Sequence, residues 1–418
     1  MLSLFAIIAL LHAPLVPGPP ATAAPVVKDD QPDLITLKDG KEIECRVLLE
    51  GDEVILARVR SRKKEFPRED VFEIQSIERS LRDFFTRYDV VQGSGVDGIV
   101  ELAMFCEERG LYAEARILWI KILTQDAENE QAWTKLGGVY NERRGWRLKV
   151  RGRFYNIEQL RERVADWRNA MELPTSHFLL RTDIAPERAL DVALNLERAY
   201  LAYYDILGKA VDLQVFDDVP EVNVYKNPDD FPTPKIQGDT AWFSRGQNTV
   251  HVNGAVPNVG PRAVFQLTHS LVYNSFRRTI GGNGSIAPWT ERAMAEMFAG
   301  AVRVENGVAR WEFGTPIQQY FQMHASDEKP LTLKKLIAAG YGAYNSGTDA
   351  PRYIAQSYTL FDFLLFGEDG KYRDGVGDYM AKSFKGQSAA THLEKSLGED
   401  LDVVEEQWTA YVHSVAGR

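Results

Sequence analysis

The chain has 418 residues, with 44% apolar and 26% charged side chains, a balance that can bury the cores of two or three globular domains. Its formal net charge is −10 at pH 7, and its basic run Arg60-Ser61-Arg62-Lys63-Lys64 reads as a solvated hairpin tip. Nucleic acid is therefore not an expected partner.

Residues 1–23 (MLSLFAIIALLHAPLVPGPPATA) carry no acidic or basic side chain. An apolar stretch, then Pro and Gly, then Ala21-Thr22-Ala23 has the shape of a secretory signal cut before Ala24, although the usual Lys or Arg at its start is missing. His12 and Pro14 break the stretch, which is too short to span a bilayer. No later segment approaches a membrane span, so the expected location is secreted, periplasmic or cell-envelope. Residues 24–32 form a linker. Cys45 and Cys106 fall in different expected modules, and whether they pair stays open.

Residues 33–78 alternate in period two, with turns at Asp39-Gly40 and Glu50-Gly51-Asp52. They predict a small β-barrel or curled sheet that resembles SH3-like modules of bacterial envelope proteins, as a structural or docking part. Residues 79–172 turn helical. Trp133, Leu136, Gly137 and Tyr140 match the core spacing of a tetratricopeptide first helix, and 102–123 reads as an earlier unit. A charged connecting helix is expected over 155–171.

From Leu173 the pattern changes. A strand over 177–182 leads to a long helix opened by Pro186 and closed by Gly208, with Ala189, Ala193, Leu196, Tyr200, Tyr203 and Leu207 on one face. Val222–Tyr225 is a strand, and 241–243 with 249–252 forms an antiparallel pair around Gly246. Two helices follow, separated by the turn Gly281-Gly282-Asn283-Gly284. The remainder is mostly helical, and the fold class is α+β.

The first of those helices contains Phe265-Gln266-Leu267-Thr268-His269, the frame of an H-E-x-x-H zinc helix with two of its working residues replaced. The second opens Pro288-Trp289-Thr290-Glu291-Arg292-Ala293-Met294-Ala295-Glu296. Downstream, Tyr353 to Leu364 and Leu401 to Tyr411 continue the pattern. In this order the segments resemble the gluzincin metallopeptidases, in particular the peptidase-MA-like proteins of bacterial envelopes, over residues 173–416. The resemblance implies that His269 stands for the second zinc histidine, Glu291 for the third zinc ligand and Tyr358 for an oxyanion-stabilising tyrosine. Arg292 replaces the family's usual glycine.

The chemistry is weighed on the two replacements. Phe265 has no lone pair and cannot coordinate. Gln266 is an amide and does not accept a proton from metal-bound water near neutral pH. His269 and Glu291 would be two ligands where a catalytic zinc takes three and a water. His251 is the one candidate for a replacement ligand. Glu291 is expected to cap or pair locally instead, with Arg292 or Arg278. The leading expectation is a secreted, catalytically inactive metallopeptidase-like protein that binds peptide or protein, with no cofactor. One alternative is an active zinc peptidase with a non-standard ligand set. Another is an interaction protein carried by its helical repeats. No G-x-S-x-G elbow, P-loop, dinucleotide fingerprint or C-x-x-C motif supports other chemistry.

Overall fold

The computed structural model describes residues 32–417, apart from 92–93, 212, 217–218, 233–239, 283, 306–307 and 346. The expected signal segment, its cleavage site and nearly all of the linker lie outside the described residues, as does Asn283 of the Gly-rich turn. Helices and small sheets alternate in a mixed α+β chain. Among the described residues no helix is long and apolar enough to cross a membrane. Two compact units emerge. The first takes the chain through Leu201 together with Val219–Val259, and the second takes Ala202–Asp218 and Gly260–Arg418.

The first unit begins with an antiparallel meander: β1 (Asp33–Leu37), β2 (Glu42–Glu50), β3 (Val54–Val59), β4 (Arg62–Pro67) and β5 (Val71–Gln75). Their order is β4-β3-β2-β1-β5. The sheet is open, not a closed barrel, so the barrel form of the sequence expectation is corrected. Ile35, Val47, Ile55, Ala57, Val71 and Ile74 fill one face. The period-two alternation delivers them there, because successive residues of a strand point to opposite sides.

Helix α1 (Ile77–Val91) leads to the hairpin α2 (Val96–Glu108) and α3 (Tyr112–Gln125), then to the short α4 (Glu130–Lys135). The tetratricopeptide spacing ends there. Leu136 caps α4, Gly137 takes a φ of +80°, and Tyr140 lies on a strand, β6 (Val139–Asn141), not on a helix. A side chain at Gly138 would meet the Trp133 carbonyl oxygen at 2.8 Å. Trp133 stacks on Trp146 of β7 (Gly145–Val150), with ring centroids 6.3 Å apart. The segment therefore holds one helical hairpin followed by a three-stranded sheet completed by β8 (Arg153–Tyr155). The connecting helix is α5 (Ile157–Val164), closed at its start by a capping box between Asn156 and Gln159.

The larger sheet of this unit has the order β12-β13-β11-β10-β9, with β9 (Met171–Pro174), β10 (Leu179–Thr182), β11 (Glu221–Tyr225), β12 (Ala241–Ser244) and β13 (Thr249–Asn253). β10, β11 and β13 run parallel, and β9 and β12 are antiparallel edges. The crossover between β10 and β11 contains the long helix α6 (Pro186–Val211), which passes Gly208 before it ends. Leu180, Val222, Val224, Val250 and Val252 are fully buried on one face of this sheet.

A buried polar network ties these parts together. Asp33 of β1 accepts from the Val47 backbone N–H at 2.7 Å and pairs with Arg46 of β2. Arg46 bonds Glu78 of α1 at 2.9 Å. Glu78 lies 3.5 Å from His177, whose Nδ1 is 2.7 Å from Glu197 of α6. Tyr200 stacks on the His177 ring at 3.6 Å. Burial alone would lower the His177 pKa, but Glu197 and Glu78 override it and hold the imidazole up at about 9. Burial would likewise raise Glu78, but Arg46 draws it down to about 2.

The second unit contains α7 (Val259–Ile280) and α8 (Pro288–Gly300), the hairpin β14 (Val302–Glu305) and β15 (Val308–Trp311), and the helices α9 (Gln318–Ala325), α10 (Leu333–Ile337), α11 (Gly342–Asn345), α12 (Ala350–Phe366), α13 (Arg373–Phe384), α14 (Ala390–Leu397) and α15 (Leu401–Ala416). Trp289 is fully buried, packs on Phe361 and Tyr379, and donates Nε1–H to the Tyr379 hydroxyl at 3.3 Å. Proline at the first turn starts α8, where a missing N–H costs nothing.

Candidate functional site

The residues of the altered motif come together on α7 and α8. Phe265 and His269 stand four apart on α7, so they share a face. Their rings meet edge to face with centroids 5.2 Å apart and planes inclined by 64°. Glu291 of α8 is buried and lies 2.9 Å from His269 Nδ1 through its Oε1. Its Oε2 accepts a hydrogen bond from the hydroxyl of Tyr341. Gln266 is half-buried on the same helix.

Arg292 sets the electrostatics. Its guanidinium lies over the Phe265 ring, 4.8 Å from the centroid, and pairs with Glu296 at 2.7 Å. A cation over an aromatic face is attracted by about 0.5–2 kcal/mol, depending on how dry the contact is. Glu296 also accepts from the Tyr320 hydroxyl at 2.9 Å. The expected pairing of Glu291 with Arg292 is thus corrected, because the guanidinium goes one turn on to Glu296. The carboxylate of Glu291 engages His269 and Tyr341 instead.

The donor set does not fit a catalytic zinc. His269 and Glu291 are two ligands where three are needed, and they are hydrogen-bonded to each other. Phe265, at the position the resemblance gives to a first zinc histidine, is a phenyl ring with a guanidinium over it. Among the described residues no three His, Cys, Asp or Glu side chains converge as a metal site would require. His251, the candidate replacement ligand, belongs to the first unit, where its Nδ1 bonds the Tyr225 hydroxyl at 2.9 Å.

What the arrangement does provide is a fixed imidazole. Nδ1–H donates to the Glu291 carboxylate, which holds the ring in one orientation, and in the neutral imidazole Nε2 is then the acceptor. Tyr358, to which the resemblance gives an oxyanion role, makes a structural contact. It is buried on α12, and its hydroxyl accepts from the Ile317 backbone N–H at 3.0 Å, which anchors the start of α9. Tyr341 and Tyr320 escaped the sequence reading. Both reach the site from well downstream, and nothing in their local pattern marks them.

The cysteines are free and buried. Burial pushes the Cys45 thiol up to about 11 and raises Cys106 further, which disfavours the reactive thiolate in both. No protein-family model matches this chain, and no curated protein sequence matches it.

Proposed function

We propose that this chain is a secreted, catalytically inactive relative of the gluzincin metallopeptidases, in which the α7–α8 face binds a peptide or protein segment. One observation carries the proposal. The ring of Phe265, at the position the resemblance gives to a first zinc histidine, is packed against the His269 imidazole and covered by Arg292. Metal ligand and general base are lost together, yet the helix pair, the tryptophan and the glutamate that frame the site are retained. His269 Nε2 and the amide of Gln266 are hydrogen-bonding groups of the kind a peptide backbone uses. Secretion rests on the leader alone.

The test is made on purified full-length protein. The expected result is zinc far below one ion per chain and no hydrolysis of a mixed peptide library, together with capture of peptides from that library that His269→Ala weakens. Stoichiometric zinc lost in His269→Ala, or hydrolysis abolished by a chelator, would overturn the proposal in favour of an active zinc peptidase.

A further inference from the structure

Residues 139–155, which form β6, β7 and β8, hold six Arg or Lys side chains and one acid, Glu142, in a chain whose acids outnumber its bases by 59 to 49. The six are Arg143, Arg144, Arg147, Lys149, Arg151 and Arg153. Five of them are exposed and Arg147 is half-buried. Among the described residues none of the six forms an ion pair, whereas Arg161 on the next helix pairs with Glu187 at 2.7 Å. Like charges crowded without counter-ions repel one another, so this small sheet gains from a partner that brings negative charge.

The strand register sorts the side chains by face. Val139 stands opposite Arg147, and Phe154 opposite Lys149. Arg147 and Lys149 lie two apart on β7, so all four share one side of the sheet. Leu148 and Val150 point to the other side, where they are buried. The outer side is open: Val139 is 54% and Phe154 45% exposed, and the Lys149 ammonium lies 5.9 Å from the Phe154 ring. Arg143 and Arg144 occupy the turn between β6 and β7. Arg151 occupies the tip between β7 and β8, with a φ of +47° before Gly152 at +81°. Such a tip favours Asn or Asp at the first place, and this one carries a cation instead.

The layout narrows the partner. β7 is about 20 Å long at roughly 3.3 Å per residue, and the cations are strung along it from turn to tip. A single phosphate or carboxylate reaches only a few of them, whereas an extended anionic surface answers all six. Nucleic acid presents such a surface, but its phosphates make no use of an aliphatic Val139. Its base edges are read by polar groups, and Asn141 is the only uncharged one on this side. A bilayer interface takes both kinds of side chain. Anionic headgroups attract the cations, and the layer beneath them accepts apolar and aromatic groups.

We infer that the outer face of β6–β8 docks the protein on a bilayer surface rich in anionic phospholipid, with Val139 and Phe154 entering the headgroup layer and the six cations on its phosphates. This face lies in the first unit and is independent of the α7–α8 face and of the function proposed for it.

The experiment sediments the full-length protein with vesicles of phosphatidylcholine alone, and with vesicles of phosphatidylcholine and phosphatidylglycerol in equal parts. Residues 1–23 carry no charged side chain, so they act alike on both, and the readout is the ratio of the two affinities. The mixed vesicles are preferred at least 100-fold at low salt, and about 0.5 M sodium chloride removes most of the preference by screening. Each Lys or Arg near an anionic surface contributes about fivefold in affinity. Arg143→Gln, Arg144→Gln and Lys149→Gln together therefore lower the preference at least tenfold, with thermal melting unchanged because all three are exposed. Phe154→Ser keeps every charge and weakens binding to the mixed vesicles about fivefold, through lost apolar burial. Equal affinity for the two vesicles, a preference that salt leaves intact, or one that the triple variant retains overturns the inference. Phe154→Ser binding as well as the unaltered protein, or tighter binding to a short DNA duplex at the same salt, overturns it in favour of a purely electrostatic polyanion site.

Discussion

The phenyl ring of Phe265 meets the imidazole of His269 edge to face at 5.2 Å between centroids, and the guanidinium of Arg292 covers the same ring at 4.8 Å. A metal site rebuilt here must deal with both neighbours. Phe265→His with Gln266→Glu restores the ligand and base types, but a zinc dication would then lie near the Arg292 charge. A dication and a unit charge about 5 Å apart repel by roughly 7 kcal/mol at an effective dielectric near 20. The double variant should therefore take up zinc weakly, and adding Arg292→Gly should tighten it by at least tenfold in competition with a chromogenic chelator. Failure of the triple variant to bind zinc would show that the H-E-x-x-H frame is misplaced.

The buried pair of His177 and Glu197 should govern stability at alkaline pH. His177 has its pKa raised from 6.5 to about 9 in the fold. A raised basic group stabilises fully below its unfolded value and loses that contribution as pH climbs through the folded one. Thermal melting should thus fall between pH 6.5 and 9. Glu78, drawn from 4.5 to about 2 by Arg46 against its burial, contributes above pH 4.5 and loses that contribution as acid takes pH down to about 2. His177→Gln leaves the fully buried Glu197 carboxylate without its cation, at a cost of about 3 kcal/mol or more, and should flatten the alkaline slope. A slope unchanged in the variant would assign the pH dependence elsewhere.

Tyr358→Phe tests whether that hydroxyl supports structure. Removing it leaves the Ile317 N–H without its partner and should lower stability by about 1–3 kcal/mol, read from denaturant unfolding. Peptide capture at the α7–α8 face should persist. Loss of capture with unchanged stability would return Tyr358 to the binding site.

Cys45 and Cys106 should resist alkylation at neutral pH in the folded protein, because their thiols are buried and raised. Both should react at once after denaturation without reductant. Fewer than two reactive thiols in denatured, unreduced protein would reveal a disulfide.

Much of the fold was legible because local signals and final contacts agree. Pro186 and Pro288 start helices where the sequence places them, the pair 241–244 and 249–253 forms around Gly246, and Phe265, His269 and Glu291 lie close together. The tetratricopeptide match failed at a local feature. Gly137 and Gly138 follow Trp133 within one turn, and a left-handed glycine ends a helix whatever the spacing of the larger residues. The barrel failed for a different reason: alternation fixes which face is buried, while closure depends on whether the outermost strands meet.

The sequence by itself determined that positions 265 and 266 carry a phenyl ring and an amide, groups that supply neither a metal-binding lone pair on the ring nor a proton-accepting base in any conformation. It also determined the faces of strands and helices, which depend only on residue spacing. Only the tertiary structure decided where the charges go. Arg292 pairs with Glu296, Glu291 turns to His269 and Tyr341, and His177 reaches Glu78 and Glu197 from far along the chain. Such pairings depend on burial and on distances between elements remote in sequence, and a buried ion selects whichever partner the packing brings within reach.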